Sequence, residues 1–239
     1  MNAFSKATIL LVGTLVAVSS MAAEFTVTPV RIFMNPRDRA VAVTITNDGT
    51  EEVVMQADLY QWNQRADGSD NLVLTEDLIL APPILKVPAK SRQVVRLARL
   101  VPASSEAEMT YRLIVKEIPE AKTQEQLSLQ LSLTFSLPVF ITPPDAKRML
   151  VCELERGGVD LVNAICHNTG RAYAQLRTID LFNSTGEKIA SQNGAYILPG
   201  IRRTFAVKRS TGPIKAGKVQ LQVGLDDGTM QAFEGILPE

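Results

Sequence analysis

The chain has 239 residues, 46 % of them hydrophobic, which suits one large or two ordinary packed domains and excludes a disordered protein. Its 25 basic and 25 acidic side chains balance, so the strongly basic footprint of a nucleic-acid binder or a polybasic membrane-surface protein is absent. Two cysteines and a single histidine leave little material for metal or nucleophilic chemistry.

Residues 1–23 read as a secretory signal. Lys6 supplies a positive start, Ala7–Val18 an apolar core and Ser19–Ala23 a small-residue cleavage zone, with the cut after Ala22 or Ala23. The apolar run is well short of the ~20 residues that span a bilayer, and no later segment is long enough, so no integral membrane segment is expected after processing. Phe25–Met34 carries strand-type residues interrupted by Pro29, which confines it to a sheet edge or a switch point, and Arg31 sits in its apolar half. Ala40–Thr46 is a strand that stops at the turn Asn47-Asp48-Gly49. Val53–Trp62 follows, then a polar loop, Asn63–Asn71, and the short apolar pieces Leu72–Leu74 and Leu78–Leu80. Ala81-Pro82-Pro83 forbids helix, Pro88–Ser91 turns the chain, and Gln93–Leu100 and Tyr111–Ile118 are further strands.

The stretch Gln126–Ile141 organises this half of the chain. Leu127, Leu129, Leu131, Leu133, Phe135 and Leu137 alternate with Ser128, Gln130, Ser132, Thr134 and Ser136, the period of a strand with one apolar face. Fully burying one such side chain stabilises by about 1.5–3 kcal/mol, so the row must be covered, either by the protein's own second sheet or in part by another chain. Seven or eight short strands in roughly 120 residues, without helical periodicity, predict a β-sandwich.

Thr142-Pro143-Pro144-Asp145 marks the expected domain boundary, giving units over 24–143 and 144–239. Beyond it Met149–Leu154, Val159–Cys166, Ala174–Phe182, Lys188–Ala190, Thr204–Lys208, Lys218–Leu225 and Met230–Ile236 form a second run of strands. In an exported chain Cys152 and Cys166 read as one disulfide, worth about 3 kcal/mol in the chain-entropy treatment. A two-residue turn at Gly157-Gly158 would set Cys152 opposite Asn163, so the bond requires a longer loop or a bulge.

Chemistry-bearing motifs are missing. The sole histidine, His167, flanks a turn; there is no phosphate-cradling glycine loop, no HExxH and no calcium-loop pattern, so neither an enzyme nor a cofactor is expected. Glu51-Glu52, Glu106, Glu108 and Asp226-Asp227 lie at turns or strand ends and read as solvated charges. An alternative, a secreted adhesive or carbohydrate-binding tandem sandwich, would require clustered exposed aromatics, whereas Tyr60, Trp62, Tyr111, Tyr173 and Tyr196 are scattered.

Several pieces, in order, resemble the periplasmic chaperones of chaperone–usher pilus assembly: TPVRIFM, VTITND, ILAPPILKVPAKSRQVVRLA, YRLIVKEIP and the strand ending LPVFITPP. The wording of the long block is similar to the archaic branch. The resemblance implies an all-β boomerang of two immunoglobulin-like domains in the periplasm, with pilus subunits and an outer-membrane usher as partners. Its first domain would complete a subunit's unfinished sheet by donor-strand complementation, a mode of strand addition known for this family. On that reading Leu127, Leu129, Leu131 and Leu133 enter the subunit's groove, while Phe135 and Leu137 stay in the home core. The resemblance also implies two basic residues that hold the subunit's C-terminal carboxylate. Arg31 matches the first. The second, usually a lysine, falls at Pro138, so anchoring rests on Arg31 alone or recruits another cation, with Arg96, Arg112 and Lys116 as candidates. Glu108 occupies the acidic position of an interdomain ion pair whose arginine is here Thr142.

Overall fold

The structure, a computed structural model, describes residues 25–119 and 132–239. The signal and the predicted groove residues Leu127, Leu129 and Leu131 lie outside the described residues. Every regular element is a strand: β1 (Phe25–Thr28), β2 (Ile32–Met34), β3 (Ala40–Asn47), β4 (Val53–Gln64), β5 (Asp70–Leu74), β6 (Leu78–Ala81), β7 (Ile84–Val87), β8 (Ser91–Arg99), β9 (Met109–Glu117) and β10 (Thr134–Ile141) come first. The second half holds β11 (Leu150–Arg156), β12 (Leu161–Asn168), β13 (Ala174–Asn183), β14 (Lys188–Asn193), β15 (Tyr196–Ile197), β16 (Arg202–Lys208), β17 (Gly217–Leu225) and β18 (Met230–Leu237).

The first sandwich packs the sheet β1-β3-β8-β6 on the sheet β2-β10-β9-β4-β5, with β7 added alongside β4. Between them lie Val43, Ile45, Val95 and Leu97 from one sheet and Met55, Leu113, Val115 and Val139 from the other, none more than 1 % exposed. The second sandwich packs β11-β12-β16 on β14-β13-β17-β18, with β15 paired to β13. Its core includes Val162, Ala164, Ile179, Leu181, Val207, Leu221 and Val223. Alternation along each strand supplies these faces directly, as the period of two requires.

Pro29 does mark a switch point. Before it β1 pairs antiparallel with β3; after it β2 pairs parallel with β10, so one segment serves both sheets of the first sandwich. A single Asn-x-Gly device recurs in the two sandwiches. Buried Asn47 donates to the Glu51, Val87 and Pro88 carbonyls and accepts from Gly49 N–H, and buried Asn168 donates to the Ala172 and Ile197 carbonyls and accepts from Gly170 and Met149 N–H. Each satisfies the backbone groups that a strand end leaves unpaired inside the protein.

Sequence reading missed β7, which follows Pro82-Pro83 directly, and the two-residue β15. The Cys152–Cys166 disulfide is present with the cysteines directly opposite in register. The longer loop that this demands runs from Arg156 to Val162, with the Gly157 and Gly158 N–H groups both donating to the Leu161 carbonyl.

Candidate functional site: a half-covered strand ending in a cleft

Strand β10 is covered unevenly. Along one edge it pairs with β9 over its whole length, from Thr134 opposite Lys116 to Ile141 opposite Met109. Along the other edge only Val139–Ile141 are paired, with β2; among the described residues no strand pairs with Thr134–Pro138 there. The Leu133 carbonyl accepts from Glu117 N–H at 2.9 Å, so antiparallel alternation turns the odd positions toward β9 and the backbone groups of Thr134 and Ser136 toward the open edge. Pro138 shares that parity. Its missing N–H therefore falls where the β9 ladder needs no donor, which explains a proline inside this strand.

The apolar row follows the same gradient. Val139 and Ile141 are no more than 1 % exposed and Leu137 is 5 % exposed, whereas Phe135 is half-buried against Phe25 and Leu133 is 36 % exposed. Phe135 and Leu137 thus pack in the home core, and Leu133 stands at its margin.

The covered end of β10 runs into the cleft between the sandwiches. Phe140, on the opposite face from Val139, stacks on Tyr173 with ring centroids 4.0 Å apart and joins Trp62, Tyr196 and Leu198 in a separate apolar cluster. Trp62 and Phe140 are fully buried there. Trp62, Tyr173 and Tyr196, far apart in sequence, are therefore gathered by the fold with Phe140, in a largely buried cluster and not an exposed one. Rings from β4, β10, β15 and the residue just before β13 meet because two sandwiches abut, and no local pattern announces it. Polar groups seal the rim. The Gln64 amide donates to the Tyr196 carbonyl and accepts from Leu198 N–H, and Arg203 donates to the Gly68 carbonyl at 2.8 Å. Gly68 has φ +80° and a Cβ there would lie 2.6 Å from Arg203 Cγ, so only glycine allows this approach.

Arg31 points into this cleft. One guanidinium nitrogen donates to Asp226 and to the Tyr173 hydroxyl at 3.2 Å, and the other donates to Gln175 Oε1 at 2.6 Å. Burial pushes its pKa down, but the Tyr196 and Tyr173 hydroxyls and Asp226 outweigh this and hold it above the ordinary arginine value. Burial pushes the Tyr173 hydroxyl up to about 12, with Asp226 adding to the rise.

The three candidate replacements for the missing lysine separate cleanly. Arg112 is directly opposite Pro138 in register, lies 3.7 Å over the Trp62 ring and 5.6 Å over Tyr196, and pairs loosely with Asp70 at 3.8 Å. Burial lowers its pKa, against the pull of Asp70 and Tyr196. Tyr196 adjoins both Arg31 and Arg112, so the fold brings these two cations to one side chain. Lys116 lies further along β9, toward the open end of β10, and pairs with Asp58 at 3.6 Å. Arg96 is not brought to the cleft: it is exposed on β8, in the opposite sheet, between Ala42 and Ala81.

Glu108 is buried and hydrogen-bonded, with no ion pair among the described residues. Thr142 Oγ1 donates to one carboxylate oxygen at 2.6 Å and Tyr173 N–H to the other at 2.7 Å, while Glu108 N–H donates to the Arg171 carbonyl. Burial raises its pKa, partly offset by those donors. The reading of Asp226 as a solvated turn charge is also corrected: its side chain is 7 % exposed and it bonds Arg31, Arg148 and Tyr173. Asp227, its neighbour in the same turn, is the exposed one, and Thr229 and Arg148 hold its carboxyl down at about 2. Among the described residues no cluster of His, Cys, Asp and Glu is arranged to hold a metal ion.

Two β-sandwiches thus meet at a cleft into which the half-covered strand β10 runs. The family model of pili and flagellar-assembly chaperones, PapD N-terminal domain, matches residues 24–147, and the chain belongs to that family. No curated protein matches the chain closely enough to count as a relative by sequence. Solved structures do match over the whole fold. The CsuC–CsuE chaperone–tip adhesion subunit complex of archaic Csu pili from Acinetobacter baumannii is similar at 22 % identity and TM-score 0.67, covering 90 % of this chain and 99 % of that one. The E. coli chaperone DraB matches at 22 % identity and TM-score 0.57, over 90 % of this chain and 96 % of its own. Salmonella enterica SafB, solved with the SafA pilin, matches at 16 % identity and TM-score 0.59, over 92 % and 99 %. The fold is accordingly that of two immunoglobulin-like domains.

Proposed function

We propose that the chain is a periplasmic chaperone that stabilises pilus subunits by donor-strand complementation and passes them to an outer-membrane usher. The single observation that carries this is the free edge of β10 at Thr134–Pro138, beside an apolar row whose cover runs out at Leu133. A subunit lacking its last strand exposes unpaired rim groups and an apolar groove; an open edge with alternating leucines supplies both missing partners. Leu127, Leu129, Leu131 and Leu133 fill the groove on this reading. Arg31 anchors the subunit's C-terminal carboxylate, and Arg112, the cation nearest to the missing lysine's position, is its second donor. The chain divides into its two domains at Thr142–Asp145, and the disulfide lies wholly within the second.

Co-expression with the small secreted proteins encoded beside it, followed by mass spectrometry of what co-purifies, tests the reading. Leu129→Glu is expected to abolish recovery of the subunit while the chaperone stays folded. Arg31→Ala is expected to weaken capture by about tenfold or more in calorimetry, the scale of one charged hydrogen bond. Undiminished subunit protection by Leu129→Glu would overturn the donor assignment.

A further inference from the structure

In the free chain the guanidinium of Arg31 already has a carboxylate. Asp226 Oδ2 accepts from Arg31 Nη1 at 2.5 Å and from the Tyr173 hydroxyl at 3.1 Å. Its other oxygen, Oδ1, accepts from Arg148 Nη1 at 3.3 Å. The position is fixed by the backbone as well, because Asp226 N–H donates to the Gln175 carbonyl, and the Gln175 side chain takes the second Arg31 nitrogen. The second sandwich therefore presents a charge of the same sign and chemistry as the C-terminal carboxylate that Arg31 would capture. An incoming carboxylate must displace Asp226 from Arg31 or share its donors against like-charge repulsion.

Displacement alone would be prohibitive for a buried acid. Asp226 has a side chain only 7 % exposed, and removing the sole partner of such a group leaves an uncompensated buried charge. Arg148 changes that. It bonds Asp226 through one nitrogen and Asp227 and Thr229 through the other, from the segment just before β11. Asp226 is thus bridged between two arginines, one at the cleft and one on its own sandwich, and it can release the first while keeping the second.

We infer that Asp226 is an internal carboxylate ligand that occupies Arg31 in the free chain and yields it to an incoming C-terminal carboxylate, with Arg148 keeping Asp226 paired after the exchange. This rests on the anchoring role proposed for Arg31. The exchange demands a full negative charge on the incoming group, so it discriminates a free chain end from an amide or a backbone carbonyl.

Acetate is the probe, titrated into the full chain labelled with 15N-arginine at constant ionic strength with chloride as the counter-titrant. The Arg31 side-chain N–H signal, identified by its loss in Arg31→Lys, reports binding. Asp226→Asn is expected to bind acetate about tenfold more tightly than the unaltered chain, the equivalent of one lost charged competitor. Arg148→Gln, which leaves Arg31 as the one cation bonded to Asp226 beside the Tyr173 hydroxyl, is expected to bind several-fold more weakly. Unchanged or weaker binding by Asp226→Asn, with Trp62 and Tyr173 resonances showing the sandwiches still apposed, overturns the inference. Should Asp226→Asn fail to fold, Arg148→Gln decides alone, and unchanged or tighter binding there overturns it. Exchange behaving as expected while subunit capture ignores Arg31 would support the internal ligand and count against the anchoring role only.

Discussion

The two ends of β10 turn the same alternate positions inward and meet opposite fates. At the covered end Leu137, Val139 and Ile141 are sealed between sheets, β2 closes the outer edge, and Phe140 is pinned beneath Tyr173. At the bare end Leu133 is 36 % exposed and the edge carries no partner among the described residues. The bare end sets Thr134 and Ser136 between its apolar residues and Leu137–Ile141 is apolar throughout, but at the inward positions, apolar at both ends, it is cover that differs. One strand can therefore be a core element over half its length and a template for another chain over the rest, provided that the switch at Pro29 stops the closing strand short.

The largest way to break this contrast is at the covered end. Leu137→Ala is expected to cost about 2–5 kcal/mol in denaturant unfolding, because it opens a cavity in a packed core. A loss below 1 kcal/mol would mean that cover does not extend this far.

Glu108 sharpens the contrast more gently, since it ties Thr142, one residue past β10, to Tyr173. Its folded pKa is raised by burial above the ordinary carboxylate value of 4.5, so the folded chain holds this proton more tightly than the unfolded chain. The associated stability is fully present below the unfolded value and is lost as pH rises through the folded one. Glu108→Gln keeps the shape and removes the charge. It is expected to gain in melting temperature relative to the unaltered chain between pH 4 and neutrality, by less than about 4 °C, the span of roughly 1 kcal/mol. An unchanged difference across that range would place the carboxylate in solvent.

The smallest stability effect belongs to the bare end. Leu133→Ser is expected to change unfolding free energy by under about 0.5 kcal/mol, as surface substitutions do, while lowering subunit capture. A stability loss like that of Leu137→Ala would make Leu133 an ordinary core residue.

Strand period, the Asn-x-Gly turns, the Pro29 switch and the cysteine pair were all readable locally, because each depends on a few adjacent residues. The cleft was not. Parity along a strand assigns a face but not a sheet, which is why Arg96 looked equivalent to Arg112 and Lys116 until β8 and β9 fell into opposite sheets. Likewise nothing in Leu225-Asp226-Asp227-Gly228 tells which carboxylate is buried. That is decided by Arg31, Tyr173 and Arg148, which lie far away in the chain. Only the resemblance pointed to Arg31, and only the packing of two sandwiches supplied its partners.

Amide hydrogen exchange at Thr134 and Ser136, resolved by NMR in the free chain and in its co-purified subunit complex, tests the divided strand most directly. Both N–H groups face the open edge, so they should exchange rapidly when free and slow by at least about tenfold in the complex, as they enter a new ladder. Equally fast exchange of both amides in the complex would contradict strand addition at β10.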